Sequence, residues 1–137
     1  MARGVQTVNT YVVDTHALFW YLTASPQLSA RAKDAFDEGK RGEARVCIPA
    51  IVLAELVYLN EKLGRQLDFA AELRRLRAGS QFELIPFLAD DTLDFEADRA
   101  VPEMHDRMIA GVARRLHVPL ITNDPQIAGS NLVTTIW

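Results

Sequence analysis

The sequence predicts an α/β fold, a three-layer sandwich in which a central parallel sheet is flanked by helices in a Rossmann-like arrangement. Three observations carry this expectation. Short apolar runs alternate with helical stretches along the whole chain, the pattern of a parallel sheet covered on both faces. The run Val46-Cys47-Ile48 is continuously apolar and reads as buried strand. The length, 137 residues with 49% apolar and 24% charged side chains, is that of one ordinary globular domain spanning residues 1–137.

The elements follow in order. Residues 8–13 read as a buried first strand, and residues 16–23, with Leu18, Phe19, Trp20 and Leu22, as a short helix broken by Ser25-Pro26. Ser29 is the expected N-cap of a helix reaching Lys40, with Ala30, Ala32, Ala35 and Phe36 inward and Gly39 and Gly42 at its end. Residues 45–48 form a short strand. Pro49 can open the next helix at its first position, where its missing N–H has no partner to lose; that helix runs to Leu63 and stops at Gly64. Residues 67–78 make an amphipathic helix closed by Gly79, and residues 82–86 a strand. Asp90 or Asp91 caps a helix reaching Arg99. Residues 104–116 form another helix, with Ile109, Val112, Ala113 and Leu116 apolar; residues 120–121 and a segment within 132–137 supply the last strands.

A single cysteine, Cys47, leaves no disulfide to form within the chain, which suits a reducing cytosol. No long apolar stretch follows a basic start, and residues 11–22 are too short for a bilayer, which takes roughly 20 residues. The expectation is a cytoplasmic protein outside the membrane. The net charge of −3 argues against a surface coated in basic patches. Its distribution says more. Seven acids crowd residues 90–106 with Arg99 the lone base, while Arg31 and Lys33, Lys40 and Arg41, Arg74, Arg75 and Arg77, and Arg114 and Arg115 gather elsewhere. Solvated helix faces explain each basic cluster; an acidic centre with a basic surround would also suit a metal site that accepts a polyanion.

In open α/β sheets ligands bind beyond the carboxyl ends of the strands. Asp14 follows the first expected strand directly, and Asp124 follows the strand of Leu120-Ile121, two residues after Thr122. Glu55 lies in the apolar run 51–59, where a lone carboxylate should be paired, protonated or metal-bound. Asp106 falls in the first turn of its helix. Taken one at a time these acids have ordinary explanations: Asp14 and Asp124 as helix caps, Glu55 paired with Arg107 or Arg114, and Asp106 favoured by the helix dipole, an effect of about 0.3–1 kcal/mol. Jointly they point to one carboxylate cluster at one sheet edge. Like charges so placed raise each other's pKa unless a cation neutralises them. Oxygen-only ligands favour Mg²⁺ or Mn²⁺ over Zn²⁺, and such a site suits phosphodiester hydrolysis by activated water. His16, His105 and His117 make no metal-ligand pattern and read as packing residues. Neither a Ser-His-Asp or Cys-His arrangement nor the Gly-rich phosphate loops G-x-x-x-x-G-K-[ST] and G-x-G-x-x-G compete for the chemistry.

The segments Val12-Val13-Asp14-Thr15-His16-Ala17-Leu18, Pro49 to Leu56 with Glu55, His105-Asp106-Arg107-Met108-Ile109-Ala110 and Leu120-Ile121-Thr122-Asn123-Asp124 resemble the PIN-domain family. Their order and spacing are similar to those of the VapC-type toxins of type II (VapBC) toxin–antitoxin modules. The resemblance implies a PIN-like fold with a parallel sheet of about four or five strands, and a Mg²⁺- or Mn²⁺-dependent endoribonuclease. It makes Asp14, Glu55, Asp106 and Asp124 the catalytic, metal-binding quartet, and Thr15 and Thr122 the hydroxyls that orient them. It also implies a homodimer and a cognate VapB-type antitoxin bound at the cleft. Many relatives carry an acid-rich run ending in proline before the third aspartate; here that stretch is Val101-Pro102-Glu103-Met104-His105, and Glu103 stands in for an auxiliary acid.

Two other readings remain at this level. A metal-dependent phosphatase of the aspartyl-phosphate kind needs a second acid two residues after its nucleophile, where this chain has His16. A non-catalytic PIN-like binding module would not need all four acids. The apolar residues Val52, Leu56, Leu59, Phe69 and Leu73 could serve a dimer interface or an ordinary core.

Overall fold

A computed structural model of the protein describes residues 8–137. Five strands form one sheet: β1 (Asn9–Val13), β2 (Ala44–Pro49), β3 (Phe82–Ile85), β4 (Leu120–Ile121) and β5 (Thr135–Ile136), in the spatial order β3-β2-β1-β4-β5. Every pairing is parallel. Parallel neighbours need crossovers, and the helices supply them: α1 (Thr15–Leu22) and α2 (Ala30–Lys40) between β1 and β2, α3 (Ala50–Lys62) and α4 (Phe69–Ala78) between β2 and β3, α5 (Met104–Leu116) between β3 and β4, and α6 (Pro125–Gly129) before β5. Successive residues Tyr11, Val12 and Val13, and likewise Val46, Cys47 and Ile48, are all buried. Since neighbouring side chains on a strand point to opposite faces, both faces of the sheet are covered.

The chain order moves from β1 outward through β2 to β3, then returns to the other side of β1 for β4 and β5. The switch point is therefore the crevice between β1 and β4, which opens at their carboxyl ends. The residues immediately beyond those ends are Asp14 and the segment Thr122 to Asp124.

Local chemistry explains most boundaries. Ser29 accepts from the Ala32 N–H and caps α2. Asp68 caps α4 in the same way through Ala71. α3 ends where Gly64 takes φ +89°, a left-handed backbone that favours glycine. Four expectations need correction. Pro49 ends β2 and precedes α3 at φ −61°, ψ 143°, because its N–H-free ring suits the cap position outside the helix as well as the first position inside it. Ala30 is exposed; it starts α2 on the solvent side, and Ala32, Ala35, Phe36 and Gly39 face inward instead. The expected helix from Asp90 or Asp91 to Arg99 is a 3₁₀ segment, Ala89–Asp94, followed by turns. Its geometry is set by the ties of its acids to α5 rather than by helical propensity. Finally, Val52 and Leu56 lie fully in the core and offer nothing to a dimer interface. The short helix α6 has no counterpart among the expected elements; five residues are too few to show a period.

Of the acid-rich stretch 90–106, Asp91, Asp94 and Asp98 form no acidic centre, because arginines of α5 take them up. Asp98 is 1% exposed and accepts from the Nε of Arg114, whose second nitrogen stands 3.4 Å from the other carboxylate oxygen. Arg114 also faces Asp94 at 3.6 Å, and Arg115 faces Asp94 at 3.1 Å and Asp91 at 3.7 Å. Three acids of that stretch and two bases of α5 thus neutralise each other as a structural clasp. Gly111 belongs to it, since a Cβ there would lie 2.7 Å from Asp98 Oδ2. Gly111→Ala is expected to destabilise the fold by about 1–3 kcal/mol through overpacking, although alanine favours helices elsewhere. Urea denaturation of the variant checks this, and an unchanged or raised midpoint would contradict it.

Candidate functional site

A cavity of about 750 Å³ opens at the switch point, within the size range of small-molecule and substrate sites. Asp14, Glu55, Asp106 and Asp124 all line it. They come from four places: the end of β1, the middle of α3, the first turn of α5 and the loop after β4. The structure therefore brings together every acid that the sequence singled out for the quartet.

The ordinary roles considered for these acids are partly real and do not compete with convergence. Asp14 caps α1, its Oδ1 accepting from the Ala17 N–H at 2.9 Å. Asp124 caps α6, its Oδ1 accepting from the Gln126 N–H at 2.8 Å. Capping fixes each carboxylate and leaves its remaining lone pairs for the cavity. Glu55 is different. Neither Arg107 nor Arg114 reaches it: Arg107 donates to the backbone carbonyls of Val101 and Phe95, and Arg114 is held by Asp98. Its partner is the buried hydroxyl of Thr15, which donates to Oε1 at 2.6 Å.

Thr122 ties two of the acids together. This buried hydroxyl donates to Asp14 Oδ2 and accepts from the Asp124 N–H at 3.0 Å. One side chain thereby sets the position of the carboxylate on β1 and of the chain that carries Asp124. Glu103 does not line the cavity; it caps α5 by accepting from the Asp106 N–H at 2.9 Å and pairs with His105 at 2.9 Å. Its place is beside the site, where it holds the first turn carrying Asp106. The hydrogen bond from His105 raises the imidazole pKa.

The electrostatics are those of a crowded anion site. Burial pushes the Asp14 carboxyl up, against hydrogen bonds from Thr122 and Ala17 that favour its charged form. Asp106 is pushed up to about 7, first by burial and then by the charges of Asp124, Glu103 and Glu55 and a hydrogen bond to Asp124. Among the described residues, no ion pair reaches Asp14, Glu55, Asp106 or Asp124. The basic side chains that line the cavity, His16, Lys62 and His105, make no ion pair with these four acids. Also among the described residues, no three His, Cys, Asp or Glu side chains stand in a ready-made metal cage. A Mg²⁺-like ion does not require one, because it keeps several waters and takes one or two carboxylates directly. The donor set and its uncompensated charge fit such an ion.

A pH dependence follows. Between the ordinary carboxylate value of 3.8 and about 7, folded Asp106 keeps a proton that the unfolded chain has released. Stability therefore falls as pH rises through that window, and a cation, which binds the deprotonated form, reverses the loss. The metal-free protein is expected to melt lower at pH 8 than at pH 5. Asp106→Asn flattens that decline, and Mg²⁺ at pH 8 restores the melting temperature of the wild type alone. A decline of equal size in the variant would overturn the assignment.

Sequence reasoning missed the rest of the lining. Trp20 on α1, Tyr58 and Lys62 on α3 and Asn123 after β4 all face the cavity. His16 and His105 sit at it as well, at the rim, one of the two packing positions the sequence left open for them. Only the helical register of α3 could have flagged its members: Glu55, Tyr58, Leu59 and Lys62 recur at the three- and four-residue spacing of one face. Cys47 is buried in β2 with its thiol pushed up to about 11 by burial, and takes no part.

Comparison with known proteins agrees with this fold. The family model described as "PIN domain" matches residues 11–129. Among curated proteins, none matches the chain. Several solved structures share the fold. VapBC2 from Rickettsia felis, solved bound to a DNA fragment from its promoter, superposes with a TM-score of 0.67 at 20% identity, covering 92% of this chain and 96% of the other. A toxin–antitoxin complex from Klebsiella pneumoniae gives 0.63 at 23% identity, covering 91% and 96%. VapC20 from Mycobacterium tuberculosis, described as a Sarcin-Ricin loop cleaving toxin, gives 0.64 at 18% identity, covering 90% and 96%.

Proposed function

The chain belongs to the PIN domain family, and from that premise we propose that it is a divalent-metal-dependent endoribonuclease, the toxin of a VapBC-type toxin–antitoxin pair. The observation that carries the reading is the convergence of four carboxylates from four separate places in the fold on one cavity, where no ion pair among the described residues reaches any of the four.

Asp14, Glu55, Asp106 and Asp124 would hold Mg²⁺ or Mn²⁺. Such an ion supplies Lewis acidity toward a phosphate oxygen and lowers the pKa of water to make a nucleophile at neutral pH. The protein's own residues do the remaining work. Thr122 holds the Asp14 carboxylate and the Asp124 backbone in one arrangement, and Thr15 holds Glu55. That fixed placement is what orients metal-binding carboxylates productively. Asp106, whose carboxyl is pushed up to about 7 by burial and by the neighbouring acids, would give up its proton on holding such a cation.

The solved relatives support the biological setting: one is a toxin–antitoxin complex, and another is a toxin that cleaves the Sarcin-Ricin loop. By that likeness the partners of this chain are RNA, a VapB-type antitoxin and a second copy of itself. No helix of the described residues is long and apolar enough to cross a membrane, in keeping with a cytoplasmic setting. The test is direct. Purified protein incubated with total RNA should cut it in Mg²⁺ or Mn²⁺ and stop on chelation, with the fragment ends read by sequencing. RNA left intact under both metals would overturn the reading.

A further inference from the structure

We propose that the outer part of the cavity is a stacking site for an unpaired nucleobase, formed by Tyr58 and Trp20, with Lys62 placed for the neighbouring phosphate, so that the substrate is presented as a single strand. The inference rests on the nuclease reading only in taking the acid cluster as the seat of a phosphodiester.

Three observations carry it. The first is the register of α3. Glu55, Tyr58 and Lys62 occupy one face at successive turns, so the ridge reads outward from the acids as carboxylate, aromatic ring, ammonium. From Glu55 to Lys62 it advances about 10.5 Å along the helix axis. The second is exposure. Tyr58 is 79% exposed although it lines a cavity. A large aromatic so placed stabilises the fold very little, and its ring face is open to a ligand. The third is the setting of Trp20. Trp20 packs between His16, at 5.5 Å between ring centroids, and Trp137, at 5.6 Å, both tilted. These contacts brace an indole that also lines the cavity.

Stacking on an aromatic face requires an unpaired base, and proteins that read RNA by base use splayed single-stranded nucleotides rather than the closed A-form helix. An ammonium near the next phosphate adds attraction without sequence preference. Lys62 makes no ion pair among the described residues, so its charge is available.

The chain has two tryptophans, so Trp137→Phe leaves Trp20 as the only fluorescent reporter. In that background Asp14→Asn prevents cleavage during titration. A mixed-sequence single-stranded RNA of roughly ten nucleotides should quench Trp20 fluorescence saturably, and a duplex of the same length or an abasic strand should not. Tyr58→Ala should weaken binding roughly tenfold with an unchanged melting temperature, and Tyr58→Phe should bind as the parent does. Lys62→Ala should reduce the slope of log affinity against log salt by about 0.7. Equal quenching by duplex and single strand, or undiminished binding by Tyr58→Ala, would overturn the proposal. The two readings fail separately. RNA cleavage by the wild type without quenching defeats the stacking site alone, whereas quenching without any cleavage defeats the nuclease reading alone.

Discussion

Replacing Asp14 with asparagine is expected to lower metal-dependent RNA cleavage roughly a hundredfold to a thousandfold, or about 3–4 kcal/mol of transition-state stabilisation at 1.36 kcal/mol per tenfold. The choice of asparagine isolates the charge. Asp14 caps α1 through Oδ1, and an asparagine carbonyl accepts the same Ala17 N–H about equally well. The hydrogen bond from Thr122 to Oδ2 is the one the variant disturbs, since an amide nitrogen there must donate instead of accept. Burial already pushes the Asp14 carboxyl toward its neutral form, so the uncharged variant should melt no lower than the wild type. Cleavage rates in Mg²⁺ and thermal melts on one preparation distinguish loss of the site from loss of the fold. Undiminished cleavage by a well-folded variant would sink the metal-site assignment. A companion variant, Thr122→Val, keeps the size and removes the bridge between Asp14 and Asp124. Its expected loss is about 10–100-fold in activity or metal affinity, the usual consequence of removing a group that orients metal ligands.

The largest stability effect is expected at a place remote from the chemistry. Arg114→Ala strands the carboxylate of Asp98, which is 1% exposed and packs against Gly111. Removing one partner of a buried pair typically costs about 3–5 kcal/mol, because the other charge stays buried and unpaired. Arg114 is itself 30% exposed, which places the expectation at the lower end, about 3 kcal/mol, or roughly 10 °C in melting temperature for a chain of this size. Adding Asp98→Asn to the variant should recover part of the loss by removing the stranded charge. A double-mutant cycle by denaturant melts measures both. Simple additivity of the two substitutions would show that the pair is not coupled.

Much of the fold was legible because it follows from local rules. The apolar strands, the Ser29 cap, the helix of residues 104–116 and the stop at Gly64 depend on neighbouring residues and on periods of two or 3.6. Where several local rules compete, reading fails. The acids of residues 90–99 have ordinary helical spacing, yet their backbone follows Asp91, Asp94 and Asp98 to their bases on α5 and forms a 3₁₀ segment and turns. Pro49 met two rules at once, at a strand end and a helix start, and the extended conformation prevailed.

The site divides in the same way. The sequence by itself picked out the acids that the fold brings to one cavity: Asp14 and Asp124 stand at strand ends, Asp106 in a first helical turn, and Glu55 in an apolar run that offers it no local partner. Tertiary structure alone decided how they are held and what surrounds them. The family resemblance named Thr15 and Thr122 as orienting hydroxyls, but not which carboxylate each one holds: Thr122 reaches Asp14 across 108 positions of the chain and Thr15 reaches Glu55 across 40. Tertiary structure also decided that Arg107 and Arg114 are spent elsewhere, so neither neutralises the four acids, and that Trp20, Tyr58 and Lys62 line the same cavity. The physical reason is the topology of a parallel sheet. Strands consecutive in the chain are joined by long crossovers, so residues far apart in the chain become adjacent only at the strand ends, once the sheet order β3-β2-β1-β4-β5 has formed.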